Sequence, residues 1–244
     1  MRRRFAGPLE SSMPRFLKPY RKQLKNFRTL ARGYAQFATI KQWNCVDSSG
    51  AAIPWYSYPA IEFLGGLNFA DLTVFEYGSG NSSVWWTQRA RAVIAVESDQ
   101  QWFDRTRAQI QSPNFRYFFH AAADYANSIT GFRDKLDVII VDGIQRVNCS
   151  RAAIAHIRQF GGRMLILDNA DWHPNLVRLI QSELGWCRVD MHGFGPINDY
   201  TSTTTIWINQ QDLGALYERA MSRPIGGLMD QVEEDREIGS GGRI

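Results

Sequence analysis

From Asp71 onward the chain alternates between short apolar runs and longer stretches of helical period, and this rhythm constrains the fold more than any other feature. The runs Leu72–Tyr77, Ala92–Val96, Phe115–Phe119, Leu136–Val141 and Arg163–Leu167 are rich in β-branched and aromatic residues. Continuous apolar runs of that length suit strands buried on both faces of a parallel sheet. Between them Ser82–Arg91, Gln100–Gln111, Cys149–Phe160 and Pro174–Leu184 read as helices. The last two runs, Trp186–Met191 and Thr203–Asn209, are separated only by a loop containing Gly193-Phe194-Gly195-Pro196. They are expected to pair antiparallel at one edge. The expected fold is α/β: a doubly wound, Rossmann-like seven-stranded sheet, mostly parallel with one antiparallel edge strand, plus an N-terminal helical extension.

A chain of 244 residues with 44% hydrophobic and 21% charged side chains can bury a large core. That excludes a disordered chain and a small disulfide scaffold. Cys45, Cys149 and Cys187 form no C-x-x-C pair and read as reduced thiols. No apolar run approaches the roughly 20 residues of a membrane span. Met1-Arg2-Arg3-Arg4 is not followed by an apolar segment of the kind a secretion signal needs. A cytoplasmic protein is expected, with a membrane-associated one as the variant considered below. Three regions are expected: a basic arm and amphipathic helix over 1–50, the α/β domain over 51–223, and a flexible tail over 224–244 with five glycines from Pro224 on.

The sharpest local signal is Val74-Phe75-Glu76-Tyr77-Gly78-Ser79-Gly80-Asn81-Ser82-Ser83, where an expected strand turns into an expected helix. Glycines there permit positive φ and let a ligand approach the backbone. Seventeen residues past Gly80, the second strand ends in Glu97, whose carboxylate could accept both hydroxyls of a ribose. A dinucleotide turn asks for a third glycine where this chain has Ser83. Glu76 would also sit badly beside a pyrophosphate. It suits the ammonium or sulfonium of S-adenosylmethionine.

On these residues the sequence resembles the class I S-adenosylmethionine-dependent methyltransferases, over roughly residues 55–210. The resemblance implies that the turn (Glu76, Gly78, Ser79, Gly80, Asn81, Ser82) holds the methionine part of the donor and that Glu97 holds its ribose. It also places Asp124, after the third strand, near the adenine. Ser82 departs from the family's pattern, which commonly has a third glycine there.

A second cluster closes the next two strands: Val141-Asp142-Gly143 after the fourth and Leu167-Asp168-Asn169 after the fifth. Neighbouring parallel strands lie about 4.8 Å apart and end on one edge, so Asp142, Asp168 and Asn169 are expected to converge. Three hard oxygen donors suit Mg²⁺ or Ca²⁺. The spacing resembles the metal-dependent O-methyltransferases of the catechol and caffeoyl-CoA type, which implies that these three residues hold a Mg²⁺ that acidifies an acceptor hydroxyl. The base lysine of the catechol enzyme falls on Gln145, leaving Asp142 or His173 as the proton acceptor. Alternatively, Asp142 and Asn169 only cap turns. Arg146 is expected either to grip an anionic group or to pair with an aspartate, and Asp199-Tyr200 to shape the acceptor pocket.

Residues 1–45 hold eleven Lys and Arg against Glu10 alone, which leaves 17 cations and 23 carboxylates for the rest of the chain. The head is strongly basic and the body acidic. Leu17, Tyr20, Leu24, Phe27, Ala31, Tyr34 and Ala38 step by three and four, the stripe of an amphipathic helix, with Lys18, Arg21, Lys22, Lys25, Arg28 and Arg32 elsewhere on its surface. The expectation is an apolar seam packed on the domain beneath a solvated basic face; an anionic membrane or RNA phosphate are other uses. The sequence thus points to a methyltransferase acting on an oxygen of a small molecule or glycan. A nicotinamide oxidoreductase and a non-catalytic nucleoside-binding module are the alternatives.

Overall fold

A computed structural model describes residues 14–216 and 223–227. Residues 1–13 and most of the tail expected over 224–244 lie outside the described residues. Seven strands form one sheet: β1 (Thr73–Tyr77), β2 (Ala92–Glu97), β3 (Phe115–Phe119), β4 (Val138–Val141), β5 (Met164–Leu167), β6 (Cys187–Phe194) and β7 (Thr201–Ile208). Their order is β3-β2-β1-β4-β5-β7-β6. β1 to β5 run parallel, while β7 lies antiparallel between β5 and the edge strand β6. This is the doubly wound, mostly parallel sheet expected from the alternation of runs.

The helices are α1 (Lys18–Arg28), α2 (Gln36–Gln42), α3 (Tyr58–Gly65), α4 (Asn81–Thr87), α5 (Gln100–Gln109), α6 (Ala122–Tyr125), α7 (Arg146–Phe160), α8 (Pro174–Leu184) and α9 (Leu213–Leu216). Side chains alternate across a strand, so each central strand feeds two cores. Phe75, Tyr77, Ile139, Val141, Leu165 and Leu167 pack with Cys149, Ala153 and Ile157 of α7 and Leu176 and Ile180 of α8. Val74, Val138, Ile140, Met164 and Ile166 pack on the opposite face with Tyr56, Leu64 of α3 and Trp85 and Trp86 of α4. The same parity carries Glu76, and the residues just past β4 and β5, Asp142 and Asp168, toward this second face. All three cysteines are unpaired. Among the described residues no helix is long and apolar enough to cross a membrane.

The N-terminal stripe does not run as one helix. After α1 a π-turn spans Thr29–Gly33, and Ala35 takes a left-handed φ of 58° before α2 begins. Packing begins only at the π-turn, where Leu30 and Tyr34 lie against the core, and continues in α2. Gln36 Nε2 donates to the carbonyls of Gly195 (3.2 Å) and Asn198 (3.1 Å), and the Thr39 hydroxyl accepts the Ile197 N–H at 3.0 Å. No residue of α1 is buried. The expected seam is therefore absent along α1, because the helix leaves the domain instead of lying on it.

Candidate active site

The turn after β1 is built on two glycines that no other residue replaces without strain. Gly78 has φ 98° and Gly80 φ 146°, both in the region that favours glycine. A Cβ on Gly78 would lie 3.2 Å from the Asp142 carbonyl carbon, and one on Gly80 would lie 3.3 Å from the Trp102 ring. Backbone bonds brace the turn to both neighbours: Gly78 N–H to Val96 O, and Asp142 N–H to Tyr77 O, each at 3.0 Å. From α5, the Trp102 indole N–H reaches the Ser79 carbonyl at 2.7 Å.

Glu76 lies beneath this turn, 1% exposed. Its carboxylate accepts the Ser83 hydroxyl at 2.5 Å, and that hydroxyl in turn accepts the Gly80 N–H at 3.3 Å. Burial raises the Glu76 pKa to about 7, against the pull of the Ser82 and Ser83 hydroxyls. Glu97, at the end of β2, is buried too; it accepts the N–H groups of Ser98 (2.7 Å) and Asp99 (3.1 Å) and the Ser79 hydroxyl (2.8 Å). The charges of the turn are thus met by neutral donors alone, hydroxyls and backbone amides.

The neighbouring edge is arranged differently. Arg146, in the first turn of α7, reaches back between β4 and β5. One terminal nitrogen donates to Asp142 Oδ1 at 3.0 Å; the other donates to Asn169 Oδ1 (2.8 Å) and the Asp168 carbonyl (2.9 Å). Asp168, 2% exposed, accepts the Thr204 hydroxyl of β7 at 2.6 Å. Burial raises the Asp168 pKa to about 6. Burial, and then repulsion from Asp168, raise that of Asp142 well above the carboxylate range, with Arg146 opposing. Asp142 keeps 21% of its side chain exposed, so its ionised form is reached by solvent. His173, half-buried, has its pKa lowered by burial and by Arg146.

These elements meet at a cavity of about 390 Å³. Ser79, Gly80, Asn81 and Ser82 line it on one side, and Asp142, Arg146, Asp168 and Asn169 on another. The two sequence-derived clusters therefore share one space. Asp124 is exposed on α6 and, with His173, lies outside the lining. Glu76, Gly78 and Glu97 stand behind it.

The Asp142, Asp168 and Asn169 donors do converge, but they do not fit the expected Mg²⁺. The Arg146 guanidinium holds an oxygen of Asp142, the side-chain oxygen of Asn169 and the Asp168 carbonyl, while Thr204 takes an oxygen of Asp168. Among the described residues no group of three or more His, Cys, Asp or Glu could hold a metal ion. The cation at this edge belongs to the chain itself. Gln145, at the position of the catechol enzyme's lysine, turns away and donates to the Ala122 carbonyl at 2.6 Å.

Several lining residues were not singled out from the sequence. Trp43, Trp55, Trp102, Trp172 and Asn198 supply the rim, and of these only Trp172 stood near a motif; Tyr200, expected from the sequence to shape the pocket, lines it with them. Trp55 Nε1 donates to Asn198 Oδ1 at 3.0 Å, joining rim residues 143 positions apart. Tyr56 is fully buried; burial first, then Glu76 and Asp142, push its phenol pKa far up, so the ring lies within electrostatic reach of both site halves. The dense aromatics of Trp43 to Tyr58 were the available signal.

No family model matches the chain, and no curated protein matches it. Solved structures similar to it include a precorrin-6y C5,15-methyltransferase from Geobacter metallireducens, at 15% identity over 62% of this chain and 87% of that one, with a TM-score of 0.47. An rRNA methylase from Streptococcus thermophilus is 14% identical over 62% and 97%, with a TM-score of 0.43. A spermidine synthase in complex with the transition-state analogue AdoDATO is 13% identical over 75% and 68%, with a TM-score of 0.45.

Proposed function

We propose that the chain is an S-adenosylmethionine-dependent methyltransferase whose acceptor is a hydroxyl oxygen of a small molecule or glycan. The observation that carries this is the placement of Glu76, buried beneath the glycine turn with its pKa raised to about 7 and only hydroxyl partners. A buried carboxylate held that way gains from a nearby positive ligand and repels a diphosphate. Asp142 and Asp168 on the cavity wall add to the repulsion. The donor set therefore fits a cationic nucleoside better than a nicotinamide dinucleotide.

Gly78, Ser79, Gly80, Asn81 and Ser82 would seat the amino-acid end of the donor, and Glu97 its ribose. Ser79 would give up its bond to Glu97 to admit the ribose hydroxyls. Bound S-adenosylmethionine supplies a methyl group on a sulfonium that leaves as a neutral thioether. The chain's own task is to place a nucleophile in line and exclude water. Asp142 accepts the acceptor's hydroxyl proton, its raised pKa making it a stronger base than an ordinary carboxylate. Arg146 holds that carboxylate in place, and His173 is the second candidate base. The rim of Trp43, Trp55, Trp172 and Tyr200 around carboxylates and Asn198 suits a polyol, whose C–H faces stack on rings while its hydroxyls reach polar groups.

The test compares thermal shifts with S-adenosylhomocysteine and NADH, then follows transfer of labelled methyl groups to sugar and phenol acceptors. Stabilisation by the first ligand alone, with label on an oxygen, is the expected result. Stabilisation by NADH alone would overturn the proposal.

A further inference from the structure

The N-terminal segment carries an apolar surface that the domain leaves uncovered. Phe16 (71%), Tyr20 (73%), Leu24 (58%) and Phe27 (63%) are all exposed. At 3.6 residues per turn, Tyr20, Leu24 and Phe27 fall within an arc of about 60° on α1. Lys18, Lys22, Lys25 and Arg28 lie on the remaining surface, and the helix sequence KPYRKQLKNFR contains no carboxylate. The exposure continues past the π-turn. While Gln36 and Thr39 anchor α2 to the Gly195–Asn198 loop, Phe37, Ile40 and Trp43 (72%) face away from it into solvent. Trp43 also lines the cavity and packs edge-on against Trp55 at 6.1 Å.

We propose that this segment, residues 16–43, docks on the surface of an anionic lipid bilayer. An apolar stripe flanked by cations buries its rings at the acyl boundary while lysine and arginine reach the headgroups. Charge complementarity selects the occupant. The eleven cations before position 46 face one carboxylate, whereas the rest of the chain carries six more carboxylates than cations. An anionic surface attracts the head and repels the body, which fixes the orientation as well as the contact. Trp43 then places an interfacial aromatic at the rim of the cavity, so an acceptor bound at the bilayer surface meets the site without crossing open water. Docking itself is independent of methyl transfer.

The full chain is sedimented with phosphatidylcholine vesicles with and without phosphatidylglycerol. Binding at least about tenfold stronger to the anionic vesicles, and weakened by salt, is expected. Tyr20→Ser/Leu24→Ser/Phe27→Ser should abolish it, and Lys22→Glu/Lys25→Glu should reduce it to the phosphatidylcholine level. Because all five side chains are exposed, both variants should keep the wild-type unfolding midpoint, which reports that the fold is intact. Equal binding to both vesicle types, or a serine variant that binds like the wild type, would overturn the proposal. So would RNA capture or self-association that depends on these residues while vesicles stay unbound.

Discussion

The two halves of the cavity each hold a pair of carboxylates at strand ends, all buried but the half-buried Asp142, and they meet the charge in different ways. On the side of β1 and β2, Glu76 and Glu97 are held by hydroxyls and backbone amides. On the side of β4 and β5, a guanidinium pairs with the Asp142 carboxylate and takes the Asp168 backbone carbonyl, while the Asp168 carboxylate accepts the Thr204 hydroxyl. Hydrogen bonds from neutral donors leave the first half's charge in place, so it gains from a cationic ligand. The second half contains its own cation and suits a neutral ligand with a proton to give. Under the proposed function, electrostatics would divide one space into a donor side and an acceptor side.

The strongest way to break that division is at the turn. Gly80→Val places a side chain at φ 146° and against Trp102. The expected loss of affinity for S-adenosylhomocysteine is on the order of 1,000-fold by calorimetry. Unchanged affinity would remove the donor side from this location.

Next in size is Arg146→Met, which leaves Asp142 and Asp168 without their cation. A loss of about 3 kcal/mol in urea unfolding is expected. Without the guanidinium both carboxylates titrate higher still in the fold than in the unfolded chain, so the loss should be larger above their pKa values than below them. Donor affinity should move by less than about threefold, since Arg146 contacts neither Glu76 nor Glu97 and the turn's charge is met by its own hydroxyls and amides. A large donor effect would merge the halves.

Asp142→Asn should reduce turnover by about 100-fold with donor affinity kept. In the wild type, kcat should rise with pH as Asp142 ionises; a flat profile would transfer the base role elsewhere.

The smallest effect concerns Glu76. Its pKa is about 7 in the fold against 4.5 for a free side chain. Between those values the folded protein binds more protons than the unfolded one, so stability falls as pH rises through the interval and levels above it. Asp168, at about 6 in the fold against 3.8, adds the same sign over a lower window. Urea unfolding of Glu76→Gln should show a flatter curve. Donor binding near pH 7 should release about half a proton, read as a dependence of the binding heat on the buffer.

Much of this was legible beforehand because strands in a parallel sheet end on one edge. Glu97, Asp142, Asp168 and Asn169 could be assigned to that edge from local patterns alone, and the observed strands fall within about three residues of the expected ends. The role of Arg146 was not resolvable. Whether it grips a ligand or an aspartate depends on the distance across β4, α7 and β5, which no local pattern encodes. Trp55 was hidden for the same reason: its partner Asn198 lies in a loop 143 positions later. The stripe at Leu17–Ala38 failed in another way. Its period was visible, but a period states which face is apolar and not what covers it.

The order of apolar runs and glycines by itself determined the layers, the edge on which the acids gather and the turn beside them, since all follow from backbone period and local conformational preference. Only the tertiary structure decided which cation answers which acid and which apolar face stays open, because both depend on where distant segments come to rest.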